Sequence, residues 1–452
     1  MTASVGVKPG QHALAPRGRG AGWRSRLDGA ATPTRLGLLL AVLVLFSLAW
    51  GVLAGLTATQ HASAAADVVA VSEPLSLDAE QIYTSLSDAG ATEASAFLAG
   101  GLEPAAARQR YQADITQAGI KIEAAGALVG SSAARTQLPG HPANREASAG
   151  QAIGDDLAIL SGNLWAYADE VGTARTDNRL GLPLGAAYLR EASTRLRDKL
   201  LPAAGDIYTR ESALLTSSSA QATGLPLVVV TVLAGLGIGY VLFRSSRWLA
   251  RHTHRVVNYG LLLAALAGLV SLAWLAGTFT LGRADLLHAQ QQGSVPAQAF
   301  ARAEVAALQA HADESLTLID NSGEDSYQQD FVAETKLLGP GPGTLLAATG
   351  SSQAAAQAQA WYQAHKALRA QDNGGNHGGA VTSAQTGAAA QAFSKLSATL
   401  SEGITTHQAT FDSSARSGRD AFTGLAIGMV VAALVMVAGC AWGLTRRLSE
   451  YR

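Results

Sequence analysis

Four runs of apolar residues punctuate the chain, at residues 36–58, 224–243, 259–281 and 423–444. A helix crosses the hydrocarbon core of a bilayer with about 20 such residues. None of the four contains Asp, Glu, Lys or Arg, as a helix bathed in lipid requires when each buried charge costs about 3 kcal/mol. The pattern therefore predicts four transmembrane helices, with two long polar segments strung between the first and second and between the third and fourth.

Both long segments read as helical. In the first, Val71, Leu75, Ile82 and Leu86 form an apolar stripe that ends near Gly100 and Gly101. A second helix is signalled by Glu103-Pro104, since proline suits a first helical turn. Its apolar positions include Tyr111, Ile115 and Ile122, and a Pro- and Gly-containing loop at 138–142 follows. A third helix is expected over 144–175, through Leu157, Leu160, Leu164 and Tyr167. A fourth follows Gly181-Leu182-Pro183 with a heptad seam of Leu189, Leu196, Leu200, Ile207 and Leu214. Pro202 should kink it. Sustained alternation, the mark of a strand, is lacking. The expected fold class is an all-α membrane protein whose first polar segment is an up-down four-helix bundle. The second segment reads as a similar but looser helical domain. It is broken at 339–343 (GPGPG) and 374–379 (GGNHGG), and the Gln- and Ala-rich stretch 351–372 offers little apolar surface beyond Trp361 and Leu368.

The first and third spans resemble one another: GLLLAVLVLFSLAW begins at Gly37 and GLLLAALAGLVSLAW at Gly260. Each leads into a polar segment and then another span. A tandem repeat of a two-span unit is the expectation, against the plainer reading that Leu- and Ala-rich runs align by chance.

Charge sets the orientation. The net charge is only −1, but Lys8, Arg17, Arg19, Arg24, Arg26 and Arg35 precede the first span with one acid, Asp28. The 244–258 connection carries Arg244, Arg247, Arg251 and Arg255 with no acid, and the C-terminal tail has Arg446, Arg447 and Arg452 against Glu450. Acids concentrate in the two long segments. The positive-inside rule then places both termini and the short connection in the cytoplasm, at the plasma membrane, and both long segments outside. The expected division is a basic tail (1–34), span one (35–58), an extracytoplasmic four-helix bundle (59–223), span two (224–243) and a cytoplasmic basic loop (244–258). Span three (259–281), a second extracytoplasmic helical domain (282–422), span four (423–444) and a tail (445–452) complete it. Ala62-Ser63-Ala64 would fit a cleavage site, but the basic leader and apolar run are too long for a signal peptide, and an uncleaved anchor is the expectation.

Motifs for chemistry are absent from the sequence: no phosphate loop, dinucleotide-binding glycine fingerprint, zincin motif or nucleophile elbow. No catalytic residue, cofactor, metal or nucleic-acid partner is expected, and the chain reads as a non-enzyme. Cys440, the single cysteine, stands in an apolar run. His252 and His254 among arginines, and the acid pairs Asp155-Asp156 and Asp169-Glu170, read as solvated groups. The glycine spacings Gly235/Gly239 and Gly424/Gly428 permit close helix contact. The cytoplasmic parts are too short to bury a core of their own, so a signal that crosses must be received by another protein.

Two stretches, EPLSLDAEQIYTSLSDAGATEASAFLAGGLEP at 73–104 and NRLGLPLGAAYLREASTRLRDKLLPAAGDIY at 178–208, resemble four-span actinobacterial membrane proteins of the GlnX kind. Such proteins accompany a glutamine/glutamate-binding lipoprotein, GlnH, and a soluble Ser/Thr kinase, PknG. The resemblance implies a non-enzymatic sensor or adaptor. It would relay external Asp, Glu or Gln, captured by the lipoprotein, to the kinase inside. The overall topology also matches, but the second polar segment is not matched residue by residue. A structural or scaffolding role in the envelope fits the same residues; a transporter fits less well, because the spans lack intramembrane charged groups. Arg175, Asn178, Tyr188, Arg190 and Arg195 are the candidate partner surface outside. Arg244, Arg247, Trp248, Arg251 and Arg255 are the candidate cytoplasmic surface for a partner or for anionic lipid.

Overall fold

The computed structural model describes residues 32–100, 103–136, 143–253, 258–320, 326–339 and 341–448. All of its described elements are helices. In chain order they are α1 (Thr32–Asp67), a π turn (Val68–Ser72), α2 (Glu73–Phe97), α3 (Ala105–Thr136) and α4 (Ala143–Arg179). Then come α5 (Leu184–Arg195), a second π turn (Leu196–Leu200), α6 (Leu201–Ala222), α7 (Pro226–Thr253), α8 (Tyr259–His288) and a third π turn (Ala289–Ser294). The chain continues through α9 (Val295–Ile319), α10 (Ser326–Leu338), α11 (Leu345–Thr349), α12 (Ser352–Asn373), α13 (His377–Gln385), α14 (Ala388–Ala421) and α15 (Leu425–Leu448). This is an all-α membrane protein: four helical stretches are long and apolar enough to cross a bilayer.

Each π turn ends two residues before a proline, Pro74, Pro202 or Pro296. A helical proline lacks the N–H donor, and its ring collides with the carbonyl four residues back. That carbonyl belongs to Ala70, Asp198 or Gln292, inside the π turn in each case. Widening the turn moves it aside. The response to Pro202 is therefore an inserted π turn.

The chain divides into two compact units. One holds the four spans. Its closest helix contacts are made at glycines: a Cβ added to Gly235 would lie 2.6 Å from the Trp50 ring, and one on Gly428 would strike Trp274. The two SLAW tryptophans thus each pack on a glycine of the following span. Of the paired glycines, Gly239 faces open space and Gly424, at φ 78°, makes the turn ahead of α15. Trp50 Nε1 donates to Ser271 Oγ over 3.4 Å. Leu45, Val52, Leu233 and Ile427 are exposed on the helix exteriors, the faces that lipid would solvate.

The larger unit contains both polar segments. In the first, α2, α3, α4 and the α5–α6 pair form the expected four-helix bundle around Ile82, Leu86, Tyr111, Leu160, Leu164 and Ile207. Of the heptad residues named above, Leu196, Leu200 and Ile207 face this core with Leu214 at its edge, while Leu189 packs with Ala94, Ala174 and Leu316. The loop expected at 138–142 lies outside the described residues. The second segment uses shorter helices around Trp361, which is 1% exposed and packs edge-on to Phe331 at 5.5 Å. Its core draws much of its area from alanines of α9 and from Phe300, Phe331 and Phe393. The GGNHGG break is a turn with Gly375 at φ 84°, and Asn376 caps α13 by accepting from Gly379 N at 3.1 Å.

The two segments share one seam. Helices α2 and α9 pack side by side. Alanines permit the close approach: Ala91 of α2 joins the Trp361 core, and Ala94 meets Leu189 and Leu316.

A candidate functional site at the seam between the two polar segments

The seam is lined with charge. Glu73, Glu80 and Asp88 of α2 recur at seven- and eight-residue steps, so they share a face. That face meets the second segment. Glu80 accepts from Gln408 Nε2 of α14 at 3.0 Å, with Glu304 of α9 nearby. Burial raises Glu80 to about 7, and Glu304 likewise. Burial, then a hydrogen bond shared with Asp412, raises Glu73 to about 8. Asp114, half-buried, also rises to about 8, through desolvation and then the neighbouring charge of Asp88. Arg110 holds Asp88 at 2.8 Å. Groups in this state hold protons near neutral pH instead of repelling across the seam.

Further along, Arg197 projects from the second π turn of the first segment to the second segment. It bonds both Asp313 of α9 and Asp330 of α10. Its guanidinium also lies 5.5 Å from the Tyr327 ring centroid. Asp313 is buried and raised to about 7, chiefly by desolvation, against the opposing pull of Arg197. Beside this junction is a cavity of about 160 Å³. A further ion pair across the seam joins Arg190 to Asp320, at 3.2 Å.

Inside the second segment, Glu314 is fully buried and receives three groups. His311 Nδ1 lies at 3.2 Å, His365 Nδ1 at 2.9 Å and Trp361 Nε1 at 3.4 Å. Burial alone would raise this carboxyl, but the hydrogen bonds from His311 and His365 prevail and hold it near 2. Among the described residues no group of His, Cys, Asp and Glu has the geometry of a metal site.

The outer candidate residues are dispersed over α4 and α5. Arg175 is engaged by Glu93 and stacks over Tyr111 at 4.1 Å. Asn178 donates to the Phe97 carbonyl at 3.0 Å and so ties the α2 and α4 ends together. Arg195 binds Glu170 with Nε at 2.9 Å, and Arg190 serves the seam. Tyr188 is exposed, beside the exposed Leu180, Leu182 and Leu184 of the α4–α5 turn. On the cytoplasmic candidate surface, Arg244 and Arg247 are exposed on α7. That helix runs through most of the expected loop to Thr253, since 244–253 contains no Gly or Pro to stop it. Trp248 and Arg251 fall on the same helix, and Arg255 lies outside the described residues. In each expected solvated pair one acid is exposed, Asp155 and Asp169, while Asp156 bonds Arg210 and Glu170 bonds Arg195.

Sequence reading missed Arg197, Asp313, Asp330 and the Glu314 network. One signal was available: Glu73 and Glu80 keep the same seven-residue step as Leu75, Ile82 and Ala89, and Asp88 follows eight residues on. Acids in step with a core stripe point to a second buried face.

Four bilayer-length helices and two polar segments joined along a buried seam define a multi-pass membrane protein with a large helical unit beyond its spans. Residues 64–220, nearly the whole first bundle, match the family model of the actinobacterial sensor domain. Together these features fit an actinobacterial membrane sensor. No curated protein and no solved structure matches the chain.

Proposed function

We propose that the chain is a non-enzymatic sensor that carries the state of an external amino-acid-binding lipoprotein to a cytoplasmic Ser/Thr kinase, with both polar segments outside the cell. The supporting observation is the pairing of α2 with α9. Each follows a span helix through a single π turn, and each packs on the other along the charged seam. A shift of one segment against the other is thereby a shift between two helices that lead to different spans, and packed helices pass on discrete displacements of this kind. The basic stretch 244–258 joins the second and third spans, one from each segment. It is the docking place for the kinase. The lipoprotein docks at the α4–α5 turn, where Leu180, Leu182, Leu184 and Tyr188 are exposed, at the bundle end opposite residues 73 and 222. The tandem repeat belongs to the same reading: both halves have a SLAW tryptophan on a glycine of the next span, a π turn and a following proline.

The test is kinase output in cells given external glutamate or aspartate. Arg247→Gln with Arg251→Gln keeps enough flanking charge to preserve insertion. Normal insertion with lost kinase response supports the reading. A full response in that variant removes 244–258 as the relay, and absence of response in the deletion strain complemented with wild type removes the relay altogether, leaving a scaffold.

A further inference from the structure

The cavity beside Arg197 has a composition unlike the rest of the seam. Leu189, Leu196, Leu201 and Leu316 line it. Among them stand Gln309, Asp313, Asp330 and Glu334, together with Arg197. Glu93 also borders it, but its charge is answered by Arg175. One guanidinium, already divided between Asp313 and Asp330, must therefore balance three carboxylates. Burial raises Glu334, and the neighbouring Asp330 adds to the rise. The cavity is lined by both segments, and about 160 Å³ matches the size of engineered cavities that take a benzene-sized guest.

A lining that combines leucines with an excess of carboxylate selects one ligand chemistry. An anion would meet the acids without free cationic partners. A neutral apolar guest would leave the carboxylates desolvated, which is costly. An ammonium on a short hydrocarbon body satisfies both kinds of lining group. We propose that this cavity is a binding site for a small organic primary amine, whose ammonium is held by Glu334 and Asp330 while its hydrocarbon lies against Leu189, Leu196 and Leu316. The ammonium competes with Arg197 for Asp330, so occupancy loosens the tie between the π turn of the first segment and α10 of the second. The site stands apart from the relay reading: it requires neither the lipoprotein nor the kinase.

The experiment uses the full chain in lipid nanodiscs, with n-butylamine and 1,4-diaminobutane as probes and n-butanol, sodium butyrate and sodium chloride as controls. Calorimetry and thermal unfolding are read together. The expected result is saturable heat and a saturable rise in Tm with the amines, absent with all three controls. Glu334→Gln, at a half-buried position outside the packed core, should fold as wild type and bind the amine at least several-fold more weakly. Arg197→Gln, which removes the competitor, should bind it more tightly. Equal responses to butylamine and butanol, unaltered amine binding in Glu334→Gln, or no saturable binding of either amine would each overturn the proposal.

Discussion

Replacing Glu314 by leucine tests the energetics of the second segment most directly. The carboxylate is 0% exposed and is the shared acceptor for His311, His365 and Trp361, at 3.2, 2.9 and 3.4 Å. Leucine is close in volume but leaves three buried donors without an acceptor. Removing one side of a buried charge network costs about 3–5 kcal/mol. With about 2–4 °C of Tm per kcal/mol for a unit of a few hundred residues, the expected fall is about 6–20 °C. Glutamine at the same position can still accept from one or two donors and should lose roughly 1–3 kcal/mol. The assay is thermal unfolding of the full chain in detergent, read by tryptophan fluorescence. The informative comparison is the triple variant Glu314→Leu, His311→Phe, His365→Leu. His311 already stacks on Phe393 at 3.9 Å and His365 on Phe331 at 3.6 Å, so apolar replacements would inherit those contacts. If the loss in the single variant comes from stranded donors, the triple variant should regain the part owed to the two histidines, because apolar replacement of buried charge partners together is often neutral or stabilising, leaving only Trp361 Nε1 without its acceptor. A Glu314→Leu protein with unchanged Tm, or a triple variant that loses the sum of the single losses, would refute the reasoning.

Orientation is checked by fusing reporters active only outside the cell. They should work after Gly130 and Gly350 and fail after Arg251 and Arg452, and activity after Arg251 would reverse the topology. In the spans, Gly428→Leu should shorten the half-life of the folded protein in detergent, since its side chain must displace the Trp274 ring. Gly37→Leu, with nothing within 4 Å of an added Cβ, should not. The seam should weaken in alkali. Glu73 and Asp114 near 8 and Glu80 and Glu304 near 7 bind protons more tightly folded than unfolded. Their contribution is complete below the usual carboxylate range, is lost progressively as pH rises from there through about 7 and 8, and levels off above. Hydrogen-exchange protection along α2 and α9, after correction for the base-catalysed rise in intrinsic exchange, should fall over that interval, and Glu73→Gln with Glu80→Gln should flatten the dependence. Trp361→Ala should cost about 3–5 kcal/mol, measured as loss of protease resistance in the second segment.

The spans and the first bundle were legible because each depends on period and punctuation. Gly100, Pro104, Gly181 and Pro183 stand at the ends of α2 to α5 within a few residues of where the chain turns. Leu196, Leu200 and Ile207 face the core for the same reason. The seam was not legible, because periodicity reports that a face is buried and not what covers it. Glu80 on α2 reads as solvated until Gln408, far along the chain, is placed beside it. The second core was underestimated because alanines contribute little to an apolar pattern individually, yet close helix packing buries Ala303, Ala306, Ala307 and Ala310 completely or nearly so. Arg197 escaped notice beside the heptad seam because nothing in its neighbours signals a reach to α9 and α10.

The π turn at Leu196–Leu200 has a consequence for how this chain can change length. A helix advances about 100° per residue, so one residue gained or lost there acts as a frameshift of faces. Deleting a single residue would carry Ile207 and Tyr208 about 100° away from the side on which Leu189 and Leu196 are buried, while leaving every hydrogen-bonded turn available. Helix content by circular dichroism would hardly register such a deletion. The register between the first segment's core and its cross-seam arginine would be lost, which makes this five-residue stretch one of the least forgiving places in the chain for insertion or deletion.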